Sequence, residues 1–350
     1  MDLDDPVAFR RLDRSAMLEV MEDTPTRLKS PPDNQVTFPQ SLSKPRNVVI
    51  GGVGGSGIAG DIISDYLKTK ADEPINVCRS LQLPKYVNEE TLFLAVSYSG
   101  ETRETLNLLE QATRRKACVA SVTSGGALLS TSIARKIPYL RIPVNLPPRV
   151  ALPELLFAVA FVMAKASLLE DIDRTINNAS RSLTLLIKSI NPQQPTERNE
   201  AKLMAQRLQG KLPLLLGPEE RASVLRRFKN ELNENSKMPA FFLTIPECYH
   251  DDIEGLKTLS NLYPVQPILL LTEGESEGQI KTRESLCVLL NELKFHPTLT
   301  IQGQGSDLLS QLLTAITFGD YTSVYLAILR DIDPTALTLI PKFRATMNVG

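Results

Sequence analysis

Histidine is almost absent from this chain. Of 350 residues only His250 and His296 are imidazoles, and there is no tryptophan. A catalytic metal centre built on histidine has next to nothing to draw on, so neither a metal nor a cofactor is expected. Cysteine is equally thin. Cys78, Cys118, Cys248 and Cys287 lie far apart and form no CxxC pair. That spacing excludes an ordinary structural zinc site and, in so long a chain, argues against a disulfide framework; reduced thiols in the cytoplasm are expected. A net charge of -1 offers no basic surface for nucleic acid or an anionic membrane. Long apolar runs are missing as well. The most apolar stretch, Leu152 to Leu169, is broken by Glu154 and Lys165 and reads as a buried helix rather than a membrane span. The opening MDLDDPVAFRRLD has no apolar centre of the kind a signal peptide needs.

What is present is enough apolar side chain, 42% of the residues, for a large core and two domains. Residues 1–45 read as a helical lead-in, VAFRRLDRSAMLEVMEDTPTRL, followed by a proline-rich connector. Short β-branched runs then alternate with amphipathic segments. NVVIGG, PINVCRS, TLFLAVSYSG, ACVASVTSGG and PYLRIPV are five candidate strands, and IAGDIISDYLKT and ETRETLNLLEQATRRK are candidate helices between them. A helical region follows from about Leu152 to Ile190. NPQQPTERNE, Asn191 to Glu200, is polar and lacks apolar periodicity, which marks it as a linker. The alternation restarts with KLPLLLG, VQPILLLTEG and HPTLTIQGQG as strands. The chain is therefore read as α/β, with domains at 1–190 and 191–350, each a parallel sheet flanked by helices.

GGVGGSG, Gly51 to Gly57, follows the first strand, and Gly52, Gly54 and Gly57 fit the dinucleotide fingerprint. That fingerprint wants an acidic residue at the end of the second strand to hold a ribose. The strand here ends in Arg79 and Ser80, an arrangement open only to a reader of the phosphorylated ribose. SYSGET, Ser97 to Thr102, and TSGG, Thr123 to Gly126, then add clustered hydroxyls and glycines at two further strand ends. Backbone N–H groups, hydroxyls and helix N-termini gathered there suit one small anion, a sugar phosphate, better than an extended dinucleotide. Taken one at a time, each loop would also serve as a tight turn or a helix cap.

GGVGGSG, SYSGETRETL and TSGG, in this order, resemble the sugar isomerase (SIS) domain. NLPPRVALPELLF, NELNENSKMPAFF, PECYHDDIEG and FGDYTSVYLAILRDIDPTALTLIPK are together similar to the bifunctional phosphoglucose/phosphomannose isomerase family, over about residues 40–345. The resemblance implies two SIS-type domains, a homodimer with composite active sites, hexose 6-phosphate substrates, and metal-independent aldose–ketose isomerisation. By position it implies Gly55, Ser56, Ser97, Ser99 and Thr102 as the phosphate cradle. It further implies Arg149, Glu234, His250 and Lys342 as catalytic residues, and Thr335 as the small hydroxyl residue that admits mannose as well as glucose.

The chemistry fits those residue types. Isomerisation needs ring opening, a proton moved between carbon 1 and carbon 2, and a stabilised cis-enediolate. A carboxylate such as Glu234, hemmed by Asn233, Asn235 and Ser236, can shuttle the proton. An imidazole suits ring opening near neutral pH, and His250 has Asp251 and Asp252 beside it to orient it. The family has Asn and Glu at those two positions, so here a shorter acid stands in for the orienting group. Arg149 offers a guanidinium to the enediolate. A non-catalytic sugar-phosphate regulator is the competing class, although the lead-in is too short and acidic for a DNA-binding helix pair. A glucosamine 6-phosphate synthase would need an N-terminal nucleophilic cysteine, and the first cysteine is Cys78. An NAD(P) dehydrogenase is the remaining reading.

Overall fold

A computed structural model describes residues 2–30 and 44–347; the proline-rich connector read between the lead-in and the first strand lies largely outside the described residues. The lead-in folds as three short helices, α1 (Pro6–Leu12), α2 (Met17–Glu22) and α3 (Thr24–Arg27). The first sheet contains β1 (Asn47–Gly51), β2 (Ile75–Cys78), β3 (Thr91–Ser97), β4 (Cys118–Thr123) and β5 (Tyr139–Arg141), with helices α4 (Gly54–Leu67), α5 (Arg103–Arg114) and α6 (Gly126–Ala134) between them. Its order is β2-β1-β3-β4-β5 and every pairing is parallel. The central strand β3 is buried along its whole length, as a strand covered on both faces must be.

The helical region after this sheet is two helices, not one: α7 (Leu152–Lys165) and α8 (Ile172–Ile190), separated by a reversal in which Ser167 and Asp171 take positive φ. In α8 the buried positions Ile176, Ala179, Leu183, Leu186, Ile187 and Ile190 fall on one stripe. The stretch read as a linker is packed. Asn199 caps α9 (Glu200–Leu208), and the fully buried Lys202 donates to Asp4 Oδ1 at 2.9 Å and to the Pro192 and Gln194 carbonyls.

The second sheet holds β6 (Leu212–Pro218), β7 (Phe241–Ile245), β8 (Val265–Leu271) and β9 (Leu299–Gln302), all parallel, in the order β7-β6-β8-β9. It repeats the first sheet's order without a fifth strand. Its helices are α10 (Ala222–Glu234), α11 (Asp252–Leu262), α12 (Glu277–Glu292) and α13 (Leu308–Leu329), and α14 (Leu339–Met347) ends the described chain. β7 is absent from the sequence reading. It is a five-residue edge strand, FFLTI, with no buried residue; an apolar run this short has no two-residue alternation to mark it as a strand.

α4, α7, α8, α9, α10 and α13 form a layer between the two sheets, and one apolar core runs through it from Val48 and Ile50 to Leu215 and Ile268. α5 and α6 cover the outer face of the first sheet, and α11 and α12 that of the second. α13 is long and apolar enough to cross a membrane, yet 89% of its most apolar window is buried inside the protein. That burial makes it the core helix of the middle layer.

Candidate active site

In an open parallel sheet, ligands bind beyond the carboxyl ends of the strands where the strand order reverses. That point lies between β1 and β3, which release the GGVGGSG and SYSGET loops. The loop after β4 completes the group. The three are bonded to one another: Tyr98 N donates to Ser56 Oγ at 3.1 Å, Ser124 N and Oγ both donate to the Tyr98 carbonyl, and Leu128 N donates to the Gly100 carbonyl. Gly100 has φ +70, and a Cβ there would lie 1.8 Å from the Gly125 carbonyl oxygen. Only glycine lets these two loops approach so closely.

The helices that open from these loops, α4, α5 and α6, carry no side-chain cap. Thr102 stands at the N-cap of α5 but its hydroxyl bonds Ser97 Oγ at 2.8 Å. The capping explanation for SYSGET therefore fails, and three helix N-termini converge. Among the described residues the first N–H groups of α4 and α5 are unclaimed by side chains, which favours an anion, whereas at α6 Ala127 N donates to Glu101 Oε1 at 2.8 Å. Ser97 is buried, its oxygen also accepting from Gly100 N; it shapes the loop. Ser56 and Thr102 are half-buried and Ser99 is exposed. Arg79 is not free to read a ribose phosphate. Its Nη2 donates to the Gly57 carbonyl and pairs with Asp61, so the dinucleotide reading loses its anchor.

Gly55 leads to the second part of the site. A Cβ at Gly55 would sit 3.7 Å from the Pro148 carbonyl oxygen, and Pro148 opens a 3-10 turn, Pro148–Val150, that contains Arg149. The Arg149 guanidinium is buried. It donates to Asn235 Oδ1 at 2.5 Å, to the Pro334 carbonyl at 2.7 Å and to the Thr335 carbonyl at 2.5 Å, and its Nε lies 3.6 Å from Glu234 Oε2. Glu234 ends α10 with its side chain partly exposed. The fold thus brings Gly55, Arg149, Glu234 and Thr335, 280 residues apart in sequence at the extremes, to one place. The Thr335 hydroxyl is buried and has no hydrogen-bond partner among the described residues; its backbone makes the contact with Arg149.

Arg227, Glu231, Asp320 and Lys237 hold this arrangement and are missing from the sequence reading, which names Asn235 only as a neighbour of Glu234. Arg227 pairs with Asp320 through two nitrogens, pairs with Glu231 at 3.0 Å, and donates to the Arg149 carbonyl at 2.8 Å. Burial works against the charge on Arg227, but Asp320 and Glu231 outweigh it and hold the guanidinium firmly protonated. The same burial pushes both carboxyls upward against the pull of Arg227. Asn235 donates to Glu231 Oε2 and Ser323 Oγ, each at 2.9 Å. Lys237 donates to the carbonyls of Glu234, Asn235, Asp333 and Pro334; burial lowers its ammonium to about 8, and Arg149 adds to the effect. One signal for this network is legible in α10. Arg227 and Glu231 lie on its buried stripe with Val224, Phe228 and Leu232, where apolar residues are the rule.

Two residues from the sequence reading stay apart. His250 is exposed, in the turn after β7. Pro218 of β6 pairs with Ile245 of β7, so this is the end of the sheet from which α10 departs, whereas Glu234 is at the far end of α10, roughly 20 Å away at ~1.5 Å per residue. Among the described residues no hydrogen bond joins the imidazole to Asp251 or Asp252. Asp251 instead accepts from Asp252 N and caps α11. Lys342 lies on α14, whose Leu339 and Phe343 are exposed, outside the Arg149 network. Among the described residues no group of three or more His, Cys, Asp or Glu is placed to hold a metal ion.

Residues 41–136 match the family model of the SIS domain, and residues 197–347 that of the bacterial phospho-glucose isomerase C-terminal SIS domain. A bifunctional phosphoglucose/phosphomannose isomerase of Caldicellulosiruptor bescii is 32% identical over 84% of this chain and 87% of its own length. The protein of that name from Thermoplasma acidophilum is 31% identical over 86% and 90%. A D-glucosamine-6-phosphate 4-epimerase of Sulfolobus acidocaldarius is 26% identical over 84% and 86%. Among solved structures, a glucose-6-phosphate isomerase like protein from Thermus thermophilus aligns with a TM-score of 0.65 at 17% identity, covering 99% of both chains. It shares the fold.

Proposed function

The chain belongs to the bifunctional phosphoglucose/phosphomannose isomerase family, and from that premise we propose how it interconverts glucose 6-phosphate and mannose 6-phosphate with fructose 6-phosphate. The 6-phosphate sits on the N-termini of α4 and α5, contacting Gly55, Ser56, Ser99 and Thr102, with Ser97 behind them. The open-chain sugar then extends past the Pro148 turn toward Glu234. The Glu234 carboxylate takes the proton from carbon 2. The electron pair of that C–H bond becomes the carbon 1–carbon 2 double bond, and the carbonyl oxygen takes the charge, which the Arg149 guanidinium meets. Return of the proton to carbon 1, with the carbon 2 hydroxyl proton passing to the oxygen on carbon 1, gives the ketose. The observation that carries this reading is the Arg149–Glu234 pair, held by Asn235 and the Thr335 turn and set against the glycine loop.

Within one protomer His250 is too far from Glu234 to open a ring whose carbon 2 faces that carboxylate. We take this as support for a homodimer in which His250 of a second copy completes each site, working in the cytoplasm without a metal. Lys342, on the exposed α14, is assigned to the same composite site. Thr335, small and pinned through its backbone, leaves room for rotation about the carbon 2–carbon 3 bond, so that protonation on either face yields glucose or mannose configuration. The two functional domains are placed at 1–190 and 191–350. The test is Glu234→Gln. Hydrogen exchange at carbon 2 with solvent deuterium should fall by at least about a thousandfold while the sugar phosphate still binds. Wild-type exchange in that variant removes Glu234 as the base. Binding of sugar phosphates by the wild type with no turnover of either would instead establish the non-catalytic regulator.

A further inference from the structure

The N-terminal helices precede both matched family segments, the first of which begins at residue 41, and nothing in the proposed reaction requires them. Their last residue is nonetheless bonded to the flank of the Arg149 turn. Arg27, at the end of α3, donates to the Val150 carbonyl at 2.5 Å, and grips Glu154 with Nε at 2.6 Å and Nη2 at 2.7 Å. The pair is largely buried, with side-chain exposures of 13% and 4%, and α3 is in turn anchored by Ser180 Oγ donating to the Pro25 carbonyl. From the opposite side, Arg227 donates to the carbonyl of Arg149 itself. Successive carbonyls of one short turn, those of Arg149 and Val150, are thus held by two buried guanidiniums, one from the lead-in and one from the second half. A cavity of about 30 Å³ remains between Met17, Met21, Arg149, Arg227, Glu231 and Asp320, which is room for a water or two and no more.

We propose that the lead-in is part of the reaction frame, with Arg27 as a positioning residue that, opposite Arg227, sets the direction of the Arg149 guanidinium. Two charge-assisted contacts on the carbonyls of a three-residue turn, with the Arg27–Glu154 pair beside them, fix it far more tightly than its own 3-10 bonds would. The distance from Arg149 to the developing oxyanion is then decided from both halves of the chain. This inference rests on the reading of Arg149 as the enediolate's partner.

The experiment is a double-mutant cycle on the full-length protein. One arm combines Arg27→Met with Glu154→Gln, so that no buried charge is left unpaired. The other is Arg27→Lys, which keeps the ion pair with Glu154 but loses the planar fork that also reaches Val150; it carries the test if the double variant does not fold. Each is made with and without Arg149→Lys, and kcat and KM for glucose 6-phosphate are measured. With Arg149 in place kcat should fall about tenfold and KM stay within about twofold, because the phosphate loops are untouched and only the guanidinium has moved. In the Arg149→Lys background the same change should alter kcat by less than about twofold. An equal loss in both backgrounds, or a raised KM with kcat retained, overturns the positioning role. If Arg149→Lys lowers kcat while the Arg27 variants do not, Arg149 keeps its role and the inference falls. If Arg149→Lys alone leaves kcat unchanged, the reading of Arg149 falls and takes the inference with it.

Discussion

Replacing Arg149 with methionine removes the charge while keeping an unbranched side chain in a buried position. The structural loss is countable. Asn235 Oδ1 and the carbonyls of Pro334 and Thr335 each lose a donor within 2.7 Å, at about 1 kcal/mol or more apiece. The relief of no longer burying a guanidinium offsets part of that. The net is on the order of 2 kcal/mol, which lowers the thermal midpoint by a few degrees and leaves the protein folded at 25 °C. The catalytic loss is larger. A preorganised donor facing a developing oxyanion contributes about 3–4 kcal/mol, so kcat should fall by about a hundred- to a thousandfold. A coupled assay gives kcat, and solvent deuterium entering carbon 2 reports enediolate formation directly. Both should fall together, since both pass through the same intermediate. If exchange at carbon 2 keeps its wild-type rate while isomerisation falls, ring opening and enediolate formation are intact, Arg149 acts at a later step such as reprotonation at carbon 1 or product release, and the enediolate assignment is wrong. If kcat stays within about threefold of wild type, the guanidinium is structural and the site must be rebuilt around another cation.

Two further substitutions test other parts of the molecule. Gly100→Ala forces a Cβ to within 1.8 Å of the Gly125 oxygen at φ +70, so the loops after β3 and β4 must separate. KM for sugar phosphates and the inhibition constant of inorganic phosphate should both rise at least about tenfold, with kcat less affected; unchanged phosphate affinity would show that the loops do not form the cradle. Burial pushes Asp65 from 3.8 up to about 6, with Asp61 adding to the rise against the hydrogen bonds from Ser223. The folded protein therefore binds that proton more tightly than the unfolded chain, and the stability this gives is lost as pH climbs from about 4 to about 6. Asp65→Asn keeps an acceptor for Ser223 N and should stabilise the protein at pH 7.5 by at most about 3 kcal/mol. The gain should vanish in melts at pH 4; an equal gain at both pH values would show that the charge is not its source.

Arg227 and Glu231 interrupt the apolar stripe of α10, and that interruption is written in the sequence. What they are for is not. Their partners, Asp320 and the carbonyl of Arg149, lie 93 and 78 residues away. Arg27 reaches across 127 residues to Glu154. His250 illustrates the opposite error. Its acidic neighbours invited a local explanation, but Asp251 caps the next helix and the histidine is left at the wrong end of the sheet for Glu234 of the same chain. The edge strand β7, FFLTI, is a half-buried apolar run of only five residues, which periodicity by itself does not tell from a short helical or irregular segment.

The three loops of the proposed phosphate cradle are a different matter, and they mark the line between the two kinds of knowledge. By itself the sequence determined that strands end in GGVGGSG, SYSGET and TSGG and that helices begin there, because a strand, its turn and its helix cap are decided by neighbours a few residues apart. Parallel pairing then sends all three loops to the same end of the sheet. Only the tertiary structure decided that Thr102 bonds Ser97 instead of capping its helix, that Arg79 is spent on Asp61, and that Arg149 is held between Glu234, Asn235 and the Thr335 turn. Arg149's partners arrive from the other half of the chain, and even the nearer pairs, Thr102 with Ser97 and Arg79 with Asp61, form only where the folded loops and helices set those side chains. Those choices are settled by which polar groups the core leaves unpaired, since a buried donor or acceptor must find a partner wherever the fold supplies one.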